Sequence, residues 1–197
     1  MENWREIWER KGKEPTKDLR ILDGSERHPI GLDKKIVSGI IKRMNLLPSE
    51  RILEVGCGAG MLAQHFTEYN YYGIDLSKSL VKKHQEIVGG NPIVASANSL
   101  PFKEGSFDAV FSFGVFLYFP NKYYALQTIK EMRRVAKSPK KVYIGDLAIE
   151  SHRNSHLLFQ KREFYGTFFE SFWLKENPNE ERFDVILNDS SECYKPL

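Results

Sequence analysis

The middle of the chain alternates short apolar segments with longer segments in which apolar residues recur every three or four positions. The short segments are typical of buried strands and the longer ones of amphipathic helices, and their alternation indicates an α/β fold. The strand-like segments cover residues 52–55, 71–75, 93–95, 107–113 and 142–146, and the helical ones cover 36–44, 80–88 and 125–135.

The first strand-like segment leads into three glycines at alternate positions, Gly56, Gly58 and Gly60. Apolar residues at helical spacing follow at once, so this region predicts a strand, a tight turn and the start of a helix. Glycine lets the backbone approach a ligand closely, and a helix N-terminus after such a turn suits a nucleotide. A dinucleotide fingerprint requires a glycine at position 61, and Met61 there argues against a nicotinamide cofactor.

With Glu54 in front of it, the loop reads Glu-x-Gly-x-Gly-x-Gly and resembles motif I of the class I methyltransferases. The resemblance implies S-adenosylmethionine (SAM) as cofactor and S-adenosylhomocysteine (SAH) as product. It also implies a three-layer Rossmann-like fold, with a mostly parallel central sheet of six or seven strands and helices on both faces. In this family the loop surrounds the amino-acid half of the cofactor, which assigns to it Glu54, Gly56, Cys57, Gly58 and Gly60.

Asp75 ends the second strand-like segment, nineteen residues after Gly56. An acidic residue near this spacing in a βαβ unit reaches the ribose, and a carboxylate can accept hydrogen bonds from two hydroxyls. The alternative is that Asp75 or Ser77 caps the following helix, and Ser77 has the better position for a cap. We therefore assign Asp75, with the adjacent Leu76, to the cofactor.

Residues 93–102 are similar to the family segment that holds the adenine, but Ser96 stands in the place of its aspartate. A hydroxyl still accepts a hydrogen bond from the adenine amino group, without charge assistance. Ala97 offers a backbone N–H, and Asn98 is an alternative contact with the base. The resemblance also assigns Ser112 and Phe113, at the end of the fourth strand-like segment, to the cofactor site.

The loop after the fourth strand-like segment departs from the family pattern. Many members that methylate small molecules have two histidines where Leu117 and Tyr118 stand here. An oxygen acceptor requires a base, and Asp146, His152 and His156 follow the fifth strand-like segment, near the strand ends where ligands bind. The candidate catalytic residues are therefore Tyr118, Asp146, His152 and His156.

The chain is long enough for one domain with a sizeable core. We expect an N-terminal helical cap over residues 1–47, a cofactor-binding core over 48–150, and a substrate loop with a C-terminal helix and strand over 151–197. Trp4 and Trp8 lie at helical spacing and are more typical of core anchorage than of substrate contact. The polar segment 12–31 has weak periodicity and is predicted to be a mobile lid.

The C-terminal region contains a capping-box pattern from Thr167 to Glu170, which predicts a short helix over residues 167–173. Residues 183–188 read as a strand, so the pattern yields six strands, one fewer than the family sheet. We expect the 183–188 strand to pair with the 142–146 strand or to leave an open edge. An open edge would offer a surface for a homodimer.

The composition is that of an ordinary globular protein, with 41% hydrophobic and 28% charged residues. A net charge of +3 and the lack of a basic stripe interleaved with aromatic residues do not favour a nucleic acid partner. No apolar run reaches membrane-spanning length, no signal peptide is visible and only two cysteines occur, so we expect a cytoplasmic protein without disulfides. The five histidines lack the spacing of metal ligands.

The sequence thus predicts an enzyme that transfers a methyl group from SAM to an acceptor, with a small molecule as the leading acceptor class. Two alternatives stay open at this point. One is a non-catalytic partner subunit or SAM sensor, favoured by Ser96, by the absent loop histidines and by the apparent lack of a strand. The other is a protein methyltransferase.

Overall fold

The computed structural model describes residues 4–138, 141–148, 169–172 and 182–187. These residues form a seven-stranded sheet in the order β3-β2-β1-β4-β5-β7-β6. The first five strands of that order are parallel, whereas β7 pairs antiparallel with both β5 and β6. The strands are β1 (Arg51–Val55), β2 (Asn70–Asp75), β3 (Ile93–Val94), β4 (Ala109–Phe113), β5 (Val142–Ala148), β6 (Phe169–Phe172) and β7 (Arg182–Leu187). The predicted α/β fold with a mostly parallel sheet is confirmed.

The helices of the described part of the chain lie before, between and after the parallel strands. They are α1 (Trp4–Lys11), α2 (Leu19–Leu22), α3 (Leu32–Met44), α4 (Lys78–Ile87) and α5 (Lys122–Val135). Ser77 caps α4 by accepting the N–H of Leu80, and Asn121 caps α5 by accepting the N–H of Tyr124. Both caps satisfy backbone donors that a helix start leaves open.

The predicted helix over residues 167–173 is wrong where the structure describes it, because Phe169–Phe172 form β6. The expectation of only six strands is wrong for the same reason. The capping box is a local pattern, and the pairing of these residues along β7 overrides it, which suits the high β-propensity of aromatic residues. The expected pairing of β7 with β5 is present. The alternative, an open edge beside β5, does not occur, because β7 pairs with β5 and β6 pairs with β7.

The helix predicted directly after the glycines is also wrong, since only a 3₁₀ turn, Ala63–His65, forms there. The chain starts β2 at Asn70, so few residues remain for a helix between the loop and that strand. Leu62 and Phe66 are nevertheless buried, which explains their helix-like spacing. An apolar residue at i and i+4 therefore marks burial here, and not a regular helix.

The core has two layers that follow the alternation of side chains along the strands. Leu53 and Val55 of β1 belong to the cluster that contains Ile129 and Met132 of α5. Ile52 of the same strand belongs to the opposite cluster, which contains residues of α3. This arrangement holds the carboxyl ends of the parallel strands rigidly at one edge of the domain.

The N-terminal segment packs onto that edge. The Glu9 carboxylate of α1 accepts hydrogen bonds from the Ser77 hydroxyl at 2.9 Å and from the Ser79 N–H at 3.2 Å. Within the segment predicted to be a lid, α2 buries Leu22 completely. Residues 12–31 therefore contain an anchored helical turn. No helix in the described ranges is both long and apolar enough to cross a membrane.

Candidate functional site

A cavity of about 1710 Å³ opens at the carboxyl ends of β1, β2, β4 and β5. Its wall brings together residues that the sequence places far apart, as expected for ligand sites in open parallel sheets. The predicted site residues among its lining are Glu54, Gly56, Cys57, Gly58, Asp75, Leu76, Ala97, Phe113, Tyr118 and Asp146. Four predicted residues, Gly60, Ser96, Asn98 and Ser112, do not line it. His152 and His156 lie outside the described residues.

The glycine loop has a backbone that only glycine adopts without strain. Gly56, Gly58 and Gly60 have φ values of +86°, +50° and +97°. A Cβ at Gly56 would lie 2.3 Å from the Val115 side chain, which leaves no room for a substituent. The N–H groups of Gly56 and Cys57 both donate to the carbonyl of Ile74, which fixes the loop against β2.

Two acidic residues predicted for the cofactor flank this loop. Glu54 is buried at the end of β1 and accepts a hydrogen bond from the Tyr71 hydroxyl at 2.5 Å. Desolvation, together with the charges of Asp23 and Asp75, raises the pKa of Glu54 to about 8. Asp75 accepts the N–H of Gly58 at 3.0 Å and the N–H of Ser77 at 2.8 Å. Burial raises the pKa of Asp75, and its carboxylate positions the loop as well as facing the cavity.

Asp23 is a site residue that the sequence reasoning missed. It follows α2, and its carboxylate accepts the N–H of Ala59 at 2.6 Å and the N–H of Met61 at 2.9 Å. Asp23 also lines the cavity. Burial first, and the charge of Asp75 in addition, raise the pKa of Asp23 to about 7. Its place in a polar segment without periodicity gave no signal for this contact.

The residues predicted for the adenine fall into two groups. Ala97 lines the cavity, together with Ala95 and Tyr124. Ser96 instead donates to Asn98 Oδ1 at 2.7 Å and lies 2.7 Å from the Tyr124 hydroxyl. Ser96 and Asn98 therefore hold the turn after β3 in place, and Tyr124 is the polar residue of this group that reaches the cavity.

Two further residues of the predicted cofactor set are buried in the protein. Ser112 is fully buried and its hydroxyl donates to the Val55 carbonyl at 2.8 Å, which ties β4 to β1. The Cys57 thiol is buried, and burial together with nearby carboxylates raises its pKa well above the usual range. A thiol held neutral in this way is a poor nucleophile.

Aromatic residues cover the cavity beyond the loop. Tyr118 lies in the 3₁₀ turn after β4, and its ring packs edge-on against Trp4 at 4.5 Å and against Trp8 at 5.2 Å between ring centroids. All three residues line the cavity. Helix α1 thus lies across the exit of β4, and its two tryptophans contribute to the site and not only to the core.

Asp146 has a left-handed backbone at the cavity wall, with φ of +60°. This conformation is rare for a residue other than glycine, and it lies at an irregularity in the pairing of β5 with β7. Asp184 of β7 supports it by accepting the Asp146 N–H at 3.0 Å and the Tyr143 hydroxyl at 2.5 Å. Asp184 is fully buried, and a polar residue inside an apolar strand segment was the only sequence signal for this role.

Basic residues of α3 also line the cavity. The cavity lining includes Lys34, Lys35 and Lys42. In the part of the chain that the structure describes, these three lysines form no ion pair. Among the residues that the structure describes, no group of three or more His, Cys, Asp or Glu side chains could hold a metal ion.

Residues 53–144 match the family model described as a methyltransferase domain. The Homo sapiens protein named probable tRNA methyltransferase 9B is 31% identical over 116 residues, which cover 59% of this chain and 25% of that protein. The O-methyltransferase resE of Aspergillus sclerotiorum is 28% identical over 120 residues, which cover 56% of this chain and 44% of that protein. The chain therefore spans a quarter to less than half of the length of these relatives.

Solved structures agree with the fold. A SAM-dependent methyltransferase from Leishmania major superposes with a TM-score of 0.72 at 12% identity, covering 93% of this chain and 82% of that one. The glycine loop, the flanking carboxylates and the size of the cavity fit the cofactor of this family. Residues 53–144 thus match a methyltransferase domain, and the chain has the Rossmann-like fold of class I SAM-dependent methyltransferases, as its motifs predicted.

Proposed function

We propose that this class I methyltransferase domain methylates a hydroxyl group of a small molecule that also carries an acidic group. The observation that carries the proposal is the covered cavity beyond the glycine loop. Trp4 and Trp8 of α1 pack on Tyr118 over the exit of β4. A volume of about 1710 Å³ exceeds the 300–1,000 Å³ typical of a single ligand site, so a cofactor and a small acceptor fit side by side.

The residues that would hold the cofactor are those of the glycine loop that line the cavity, together with Glu54, Asp75 and Ala97. When bound, SAM supplies a methyl group on a positively charged sulfur. The protein's main task is then to hold the acceptor in line, because methyl transfer from such a sulfur needs little covalent machinery. The rings of Tyr118, Trp4 and Trp8 provide an apolar, electron-rich wall that excludes water from the acceptor side.

The acidic group of the acceptor follows from the charges of the two walls. Carboxylates line the loop side, whereas Lys34, Lys35 and Lys42 line the α3 side. Cations that form no ion pair with the described residues favour a carboxylate or phosphate on the bound molecule. The acceptor would thus lie with its acidic group toward α3.

Asp146 is the proposed base. Its carboxylate lies at the cavity wall near Gly114, where a Cβ would lie 3.3 Å from Asp146 Oδ2. A carboxylate there can accept the proton of the acceptor hydroxyl as the new bond forms. Tyr118 is a positioning residue, through its ring. His152 and His156 stay candidate bases by sequence alone.

The relatives support more than one acceptor class, since one is named for tRNA and another for oxygen methylation. The test therefore uses SAM labelled in its methyl group with matched acceptors: hydroxylated aromatic acids, their neutral amides, and tRNA. We expect label in the acids and much less in the amides. Label in tRNA and in none of the small acceptors would overturn the proposal.

A charge-reversal pair adds a control. Lys35→Glu should lower kcat/KM for an acidic acceptor about tenfold and leave a neutral one unchanged. Lys82→Glu alters an exposed lysine of α4 whose partner is Glu86, away from the cavity lining. It should leave both acceptors unaffected.

A further inference from the structure

Asp23 joins the N-terminal segment to the glycine loop through two hydrogen bonds. Its Oδ1 accepts from Ala59 at 2.6 Å and its Oδ2 from Met61 at 2.9 Å. A Cβ at Gly58 would lie 2.2 Å from Asp23 Oδ1, so the carboxylate rests directly on the loop. Because it also lines the cavity, this carboxylate is both fixed in place and presented to a ligand.

Three carboxylates from separate elements meet at this loop. Asp23 follows α2, Glu54 is the penultimate residue of β1, and Asp75 ends β2. The charge of Asp75 disfavours ionisation of Asp23, and the charges of both disfavour ionisation of Glu54. Such a cluster is unfavourable without a ligand, and a ligand with net positive charge relieves the repulsion.

The cofactor and its product differ in this property. SAM carries a sulfonium, an ammonium and a carboxylate, for a net charge of +1, whereas SAH has a neutral thioether and no net charge. A fixed carboxylate therefore stabilises the first more than the second.

We propose that Asp23 is a cofactor-selecting residue: its carboxylate, held by the amides of Ala59 and Met61, favours the cationic cofactor over the neutral product. This preference assists release of SAH after each transfer. The proposal concerns the cofactor side of the cavity, so it stands independently of the acceptor class.

The test is calorimetric titration of SAM and of SAH into the wild-type chain and into Asp23→Asn. We expect the asparagine variant to weaken SAM binding about tenfold and SAH binding about threefold or less. The matched control is Asp18→Asn, which removes one negative charge from the opposite end of the same helix. Asp18 accepts the N–H of Arg20 and asparagine caps equally well, so the control should bind both ligands as the wild type does.

If Asp23 had only a structural role, Asp23→Asn would weaken the binding of SAM and of SAH equally. That result would overturn the proposal, as would unchanged affinities for both ligands. Should the asparagine variant not fold by circular dichroism, Asp23→Ser keeps an acceptor for the loop without a charge and repeats the measurement. Failure of both variants to fold would also count against selection, because Asp23 would then act on folding alone.

Discussion

Asp184 accepts the backbone N–H of Asp146 at 3.0 Å, and this bond joins the antiparallel β7 to the strained end of β5. Asp184 is fully buried, and burial raises its pKa. The pair explains how a non-glycine residue keeps a left-handed backbone at the cavity wall. The strain is supported by a strand that lies far away in the sequence.

We predict that Asp184→Leu lowers the free energy of unfolding by ~2 kcal/mol, because two buried donors lose their acceptor. The same variant should lower acceptor turnover while the affinity for SAM changes little, since Asp146 lies away from the glycine loop. Asp184→Asn retains an acceptor oxygen and should restore much of both properties. Chemical denaturation and steady-state kinetics measure the two effects, and a leucine variant with normal turnover would refute this role.

A second prediction concerns the ribose position. Asp75→Ala should weaken SAM binding by at least about tenfold, because it removes the proposed acceptor for the ribose and the observed acceptor for the Gly58 N–H. Folding should change less, since Ser77 still caps α4. Calorimetry of SAM binding with far-UV circular dichroism as the folding control measures this, and an unaltered dissociation constant would remove Asp75 from the cofactor site.

The carboxylate cluster predicts an unusual pH dependence of the ligand-free protein. The pKa values of Asp23 and Glu54 are raised to about 7 and about 8, so the folded state binds more protons than the unfolded state above about pH 4. Their contribution to stability is therefore present at low pH and is lost as the pH rises toward 8. Carboxyls with lowered pKa values, such as Asp108 and Glu131, act in the opposite sense but at more acidic pH.

Thermal unfolding between pH 5 and pH 8 tests this directly. We expect the midpoint of the ligand-free protein to fall across the range, and the stabilisation by SAM to grow over the same range. Glu54→Gln should flatten the first trend. A midpoint that rises steadily up to pH 8 would show that the cluster does not govern stability there.

The aromatic cover yields a fourth prediction. Trp8→Ala removes one of the two tryptophan rings that pack on Tyr118 and opens the acceptor side of the cavity. The KM for the acceptor should therefore rise about tenfold. SAM affinity should change less than threefold, because Trp8 does not bond to the glycine loop. A loss confined to SAM binding would place the cofactor, and not the acceptor, beneath α1.

The sequence predicted the parts of the site that depend on local pattern. Glu54 and Asp75 lie at the ends of short strands and Gly56 follows one. Their spacing, with the resemblance to motif I, located the loop and the carboxylates around it. Asp23 and Asp184 were not predicted, because each acts through a contact between distant segments that no periodicity marks. The aromatic strand β6 was mistaken for a helix, since its local capping pattern competes with a pairing visible only in the sheet.

The measurement that tests the account most directly is calorimetric titration of SAM into the wild-type chain and into Gly58→Val. We predict one site per wild-type chain and no binding by the variant, because a side chain at Gly58 would displace the Asp23 carboxylate and strain a backbone with φ of +50°. A folded wild-type protein that gives no heat with SAM, or a valine variant that binds equally well, would contradict the assignment of the glycine loop as the cofactor site.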